Sequence, residues 1–144
     1  MKPAQASAVK PDVTSLRSTL DWLRKEGLLI ETEREVDPDL EITGLQKHFD
    51  GSLPMLFNKV KGKPHARAIT NLFSDISLIN RMFGWASSQE RTRQLAQALS
   101  RPLKPRIIEE GAPCQEFVVT KDIDVNQWIT AIRHTALEPE LTIG

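Results

Sequence analysis

Residues 15–45 read SLRSTLDWLRKEGLLIETEREVDPDLEITGL, and this stretch decides the fold class. Ser15 is placed to cap a helix, with Leu16, Leu20 and Leu23 following at i, i+4 and i+7 and Trp22 beside that stripe. Gly27 stands where a helix ends in a left-handed residue, a conformation only glycine enters without steric cost. Leu28 to Glu33 predicts a strand whose alternation sets in at Leu29. A second helix is expected from Asp37-Pro38, because a carboxylate caps and a first-turn proline loses no hydrogen bond. Leu40, Leu45 and Phe49 would form its buried face and Gly51 its stop. Helix, strand and helix in this order point to an α+β or α/β domain, a small mixed sheet flanked by helices.

Working outward, residues 1–13 have two prolines, small residues and no periodicity, and are expected to form a flexible arm. Downstream, Pro54–Val60 and Ala66–Thr70 read as two strands joined by a turn at Gly62-Lys63-Pro64. Asp75 caps a helix carrying Ile76, Ile79 and Phe83. Ser87 or Ser88 caps another from Glu90 to Leu99, with Leu95 and Leu99 on one face. Pro102 and Pro105 force an extended connection. Glu116–Thr120 reads as a short strand, and Asp122–Ile132 as a helical turn containing Trp128. The expected division is an arm over 1–13, a domain over 14–132 and a linker over 133–144. Leu16, Leu20, Leu29, Phe49, Leu56, Phe57, Ile69 and Phe83 are expected in the core.

At 144 residues, with 40% hydrophobic and 26% charged residues, the chain is sized for one domain with a core of its own. No apolar run reaches the roughly 18–20 residues of a membrane span, and no secretory signal opens the chain. A single cysteine, Cys114, excludes an internal disulfide and a multi-cysteine zinc site, so a reducing cytoplasm is the expectation. The zero net charge is unevenly placed. Residues 1–60 carry −2, residues 61–106 carry +7 and residues 107–144 carry −5. Such a split fits a nucleic-acid surface, or two faces that neutralise one another within a larger protein.

Few residues offer chemistry. His48, His65 and His134 form no i, i+4 ligand pair, and Asp50, two residues after His48, would face another way on a helix. Cys114 has Gln115 and Glu116 as neighbours, which would not lower a thiol pKa. Glu31, Glu33, Glu35, Asp37, Asp39 and Glu41 alternate, which reads as a solvated strand face followed by a favourable helix N-terminus. The basic 61–106 segment interleaves Phe73, Phe83 and Trp85, as single-strand binders do, but at the spacing of a helical core. Gly62 and Gly84 are isolated, so there is no phosphate-cradling loop. No residue is assigned a catalytic, cofactor or metal role.

The ordered pieces resemble the opening of the UbiD-like decarboxylase family. SLRSTLDWLRKEGLLIETEREVDPDLEITGL is similar to that family's helix, "L…eGeL" strand and "VDpdlEi" passage. PMLFNKVKG and ARAITNLF resemble its next two strands, and GAPCQEFVVTKDIDVNQWI its "APcqEvv…dvDL" passage. The likeness runs from Ser15 to Trp128. It implies a non-oxidative, reversible decarboxylase of aromatic or α,β-unsaturated acids using prenylated FMN, manganese and potassium. It also implies an N-terminal α/β domain ahead of a split-barrel flavin domain and a C-terminal oligomerisation domain, hence a homo-oligomer in the full-length form. The family's cofactor and acid–base residues lie in the flavin domain, so none maps onto this chain, and the chain alone is expected to bind no flavin and to be inactive. Leu141–Gly144 would begin the barrel's first strand. Glu138-Pro139-Glu140-Leu141 stands where the family often has a glycine-rich stretch. The expected partner is the flavin domain of the same protein or of a companion subunit, with no membrane and no nucleic acid, and the apolar patch left for it is expected around Trp128, Ile129 and Leu141–Ile143. The alternative is a non-catalytic module that uses its basic 61–106 segment to bind a protein or nucleic acid.

Overall fold

The computed structural model describes residues 11–124 and 130–138. Its elements are α1 (Leu16–Lys25), β1 (Ile30–Val36), α2 (Glu41–His48), β2 (Met55–Val60), β3 (Ala68–Thr70), α3 (Ile76–Phe83) and α4 (Ser88–Ser100), then a single 3-10 turn at Pro113–Gln115. The sheet runs β1-β2-β3, with β1 parallel to β2 and β3 antiparallel to it. This is the small mixed sheet with flanking helices that the sequence predicts.

The middle strand explains the architecture. Met55, Leu56 and Phe57 are consecutive and all buried, as a strand covered on both faces requires. Leu56 joins Leu20, Leu23, Leu78 and Met82 under α1 and α3. Met55 and Phe57 join Val36, Ile42 and Val60 under α2. Period-2 geometry sends alternate side chains to opposite faces, so one strand anchors both cores. Arg81 ties α3 to α1, pairing with Glu26 at 3.1 Å and lying 5.6 Å from the centre of the Trp22 ring. Asn71, left-handed and buried, donates to the Gln46 and Phe49 carbonyls at the end of α2.

Three of the predicted caps are present. The side chains of Ser15, Asp75 and Ser87 accept from the backbone N–H groups of Arg17, Ser77 and Glu90. Gly27 has φ +67°, the left-handed value expected beyond α1.

Other expectations are corrected. Helix α2 begins at Glu41, after a left-handed Leu40 (φ 69°) that offers no side-chain cap. Asp37, expected to cap it, instead accepts from the Asp39 N–H and pairs with Lys61 at 2.7 Å. Leu40 is consequently on the surface, and Ile42 takes the buried position. Strand β1 begins at Ile30, two residues later than expected, because Leu28 still bonds back to Leu23. Leu16 and Ile76, each at the first position of its helix, are half exposed. Leu29, Phe49, Ile69 and Phe83 are only partly buried, whereas Leu20, Leu56 and Phe57 are buried as expected.

Strand β1 also carries an extra residue. Thr32 pairs with Phe57 and Glu35 with Lys59, so β1 advances three residues while β2 advances two. Across this irregularity Glu31 lies opposite Leu56 and Glu35 opposite Lys59. Residues 116–120 form no strand, and 122–124 and 130–132 are not helical. Trp128 and the expected barrel strand at 141–144 lie outside the described residues, as do residues 1–10 of the arm.

Candidate functional site

The sequence candidates are dispersed by the fold or occupied by it. His48 lies at the end of α2 with its ring edge-on to Phe49 at 4.9 Å, and His65 is exposed in the β2–β3 turn. His134 stands beside Glu138, with Nδ1 3.5 Å from a carboxylate oxygen. Among the described residues, no three His, Cys, Asp or Glu side chains stand together as metal ligands would. Cys114 is exposed in the 3-10 turn.

Five of the six acidic residues of the run are engaged in structural pairing. Glu31 binds Arg24 at 2.6 Å, and Glu33 accepts from the Asn58 amide at 2.8 Å. Asp37 holds Lys61, Asp39 holds Arg133 at 3.2 Å, and Glu41 holds Arg34 at 3.2 Å. The hydrogen bond from Lys61 keeps the Asp37 carboxyl below its ordinary pKa, and the same contact raises Lys61. The aromatics of the basic segment are likewise engaged. Phe83 stacks on Trp85 at 4.7 Å, and Trp85 donates through Nε1 to Gln94. Phe73 alone of the three projects into solvent.

What the fold leaves open is an apolar surface. Helix α4 is held at its N-terminal half, where Arg91 donates to Asn80 and Gln94 meets Trp85, and it buries no residue. Leu95 and Leu99 sit one turn apart and exposed, Leu99 by 83%. Beyond α4 the chain runs without regular structure to the 3-10 turn, and Leu103, Ile107, Ile108, Phe117, Val118 and Ile123 all face outward. Such a concentration of exposed large apolar side chains is what a contact surface would present. The flank of α4 formed by Ser88, Gln89, Thr92, Arg93 and Ala96 bounds a shallow open depression of about 400 Å³. It has neither the walls nor the convergent polar groups of a flavin pocket.

From sequence, the contact surface was expected at Trp128, Ile129 and Leu141–Ile143, which lie outside the described residues. Leu103, Ile107 and Ile108 were missed. The available signal was their company: aliphatic residues spaced by Pro102 and Pro105 cannot join a helix or a central strand, so no local element buries them.

Residues 20–99 match the 3-octaprenyl-4-hydroxybenzoate carboxy-lyase N-terminal domain. Among curated relatives, gallate decarboxylase of Lactiplantibacillus plantarum is 28% identical across 90% of this chain, and phenolic acid decarboxylase of Sedimentibacter hydroxybenzoicus is 29% identical across 76%. The chain spans only 30% and 25% of those two proteins. Among solved structures, the UbiD-class enzyme HmfF of Pelotomaculum thermopropionicum in complex with prFMN superposes with a TM-score of 0.73 at 32% identity. The overlap covers 85% of this chain and 28% of that one. Vanillic acid decarboxylase of Sedimentibacter hydroxybenzoicus in closed form gives 0.69 at 26% identity, over 90% of this chain and 28% of that one.

Proposed function

Because this chain belongs to the UbiD-like carboxy-lyase family through its N-terminal domain, we propose that it serves as the structural N-terminal domain of a prenylated-FMN-dependent, reversible decarboxylase. The substrates in this reading are aromatic or α,β-unsaturated carboxylic acids, in keeping with the gallate and phenolic acid decarboxylases it resembles. Residues 14–132 are the domain, and 133–144 lead toward a flavin-binding split barrel, in the same protein or in a companion subunit. The working form is a cytoplasmic homo-oligomer with manganese and potassium at the flavin. No described helix is long and apolar enough to cross a membrane.

The observation that carries this reading is the open apolar surface of α4 and residues 103–123, attached to two cores that are otherwise complete. A small domain closed on itself has no use for such a surface, whereas a domain packed on a larger body does. Decarboxylation leaves an electron pair on carbon, and a bound flavin supplies the sink that ordinary side chains lack. The described residues do not fit that group. Among them no three His, Cys, Asp or Glu side chains stand together as metal ligands would, and the depression beside α4 is shallow and open, so in our reading flavin and metal belong to the barrel. The chain's own contribution is to cover that barrel's outer surface and exclude water from it.

The test is reconstitution of this chain with prenylated FMN, manganese and potassium, followed by absorbance titration and assay of CO₂ release. The expected result is neither flavin uptake nor turnover. Stoichiometric uptake, or CO₂ from any aromatic or acrylic acid, would overturn the assignment. A steep salt dependence of nucleic-acid binding would instead favour the interaction module.

A further inference from the structure

Residues 101–110 read RPLKPRIIEE, and every one of them is exposed. The chain's charge changes sign inside this stretch, from +7 over residues 61–106 to −5 over residues 107–144. Arg101 and Lys104 stand at one end and Glu109 and Glu110 at the other. Between them lie Leu103, Ile107 and Ile108, 96%, 85% and 53% exposed. Elsewhere Arg24, Arg34, Lys61, Arg81 and Arg133 each hold a carboxylate. Among the described residues, none of the four charged side chains at the ends of this stretch enters an ion pair. Pro102 and Pro105 hold φ at about −65° and bias Arg101 and Lys104 to extended backbone, so the stretch is stiff as well as open.

We propose that residues 101–110 are a self-recognition segment, which seats antiparallel against the same residues of a second copy of this chain. A two-fold interface sets one patch against itself, so that residue i meets j and j meets i. A stretch that is basic at one end and acidic at the other matches itself only when the second copy runs in the opposite direction. With Arg101 set opposite Glu110 of the second copy, Leu103 falls opposite Ile108 and Lys104 opposite Ile107. Unlike charges then meet at both ends, and aliphatic side chains leave water at the centre. The proline-stiffened backbone has little freedom left to lose on pairing, and at zero net charge the two copies do not repel as wholes. The pairing belongs to the chain by itself and does not rest on the function proposed above. A flavin-binding body that claims the same surface would have to displace the second copy.

A charge swap read by sedimentation velocity on the 144-residue chain tests it. One variant carries Arg101→Glu with Lys104→Glu, and the other Glu109→Lys with Glu110→Lys. The parent should pair reversibly at concentrations up to roughly 200 µM, and each variant alone should pair at least about tenfold more weakly. An equimolar mixture of the two variants restores unlike charges at both ends, and should recover the parent's affinity to within about threefold. A parent that stays monomeric would overturn the proposal. So would variants that associate as the parent does, which is adhesion by apolar surface without recognition, or a mixture that fails to recover. Should either variant not fold by circular dichroism, the parent's salt dependence decides. Association at least about tenfold weaker in roughly 500 mM than in roughly 50 mM sodium chloride supports the pairing, and association that is unchanged or stronger overturns it. None of these readouts involves flavin or turnover, so the pairing and the proposed function fail separately.

Discussion

Leu23 is fully buried and Leu16, on the same helical stripe, is half exposed, and the two should respond very differently to truncation. Leu23→Ala should cost about 2–5 kcal/mol in urea unfolding and Leu16→Ala no more than about 0.5 kcal/mol. Period alone does not separate them, because the first turn of a helix overhangs the core it points toward. Charge pairing was harder still to read. Asp39 and Arg133 lie 94 residues apart, and their contact exists only once the chain has returned to the β1–α2 corner. Titration adds a further expectation. Asp37 and Glu138 are held below their ordinary values of 3.8 and 4.5, chiefly by hydrogen bonds from Lys61 and from the His134 N–H. A lowered folded-state pKa gives stability that is complete above the ordinary value and fades as pH falls through the lowered one. The urea midpoint should therefore hold from neutral pH down to about 4.5 and decline below it, less so in Asp37→Asn.

Among the elements, the caps were the most legible, because a serine or aspartate next to a periodic stripe satisfies orphan N–H groups by local geometry alone. Asp75→Ala, which removes the acceptor for Ser77, should cost about 1 kcal/mol in the same unfolding assay. The start of α2 was not legible, since it depends on Lys61, which arrives from the end of β2 and occupies Asp37. Nor was the extra residue in β1, which is defined only by pairing with β2. Helix α4 shows the other limit. Its Leu95 and Leu99 form the predicted face, but pattern says that a face is apolar and not what covers it. Replacing both with Glu should change stability by no more than about 0.5 kcal/mol per site while weakening any self-association seen by sedimentation velocity.

At the scale of the molecule, the small mixed sheet and its flanking helices followed from the hydrophobic pattern, whereas the division into two cores depends on pairing around β2 and the contact surface on apolar residues that obey no period. Sedimentation at rising concentration should show reversible association of the parent chain through that surface. The manner of association is set by β1. Among the described residues it is an edge strand, and a row of unpaired edge N–H and C=O groups ordinarily invites a strand from another molecule to extend the sheet. Here Glu31, Glu33, Arg34 and Glu35 crowd that edge, and the extra residue breaks its hydrogen-bonding rhythm. An intruding strand would meet charge and a mismatched ladder. At the opposite edge, β3 has only three residues to offer as a template. The chain is thereby guarded against fibril growth while it waits with an oily loop uncovered, and it should clump loosely and redissolve on dilution without binding amyloid dyes.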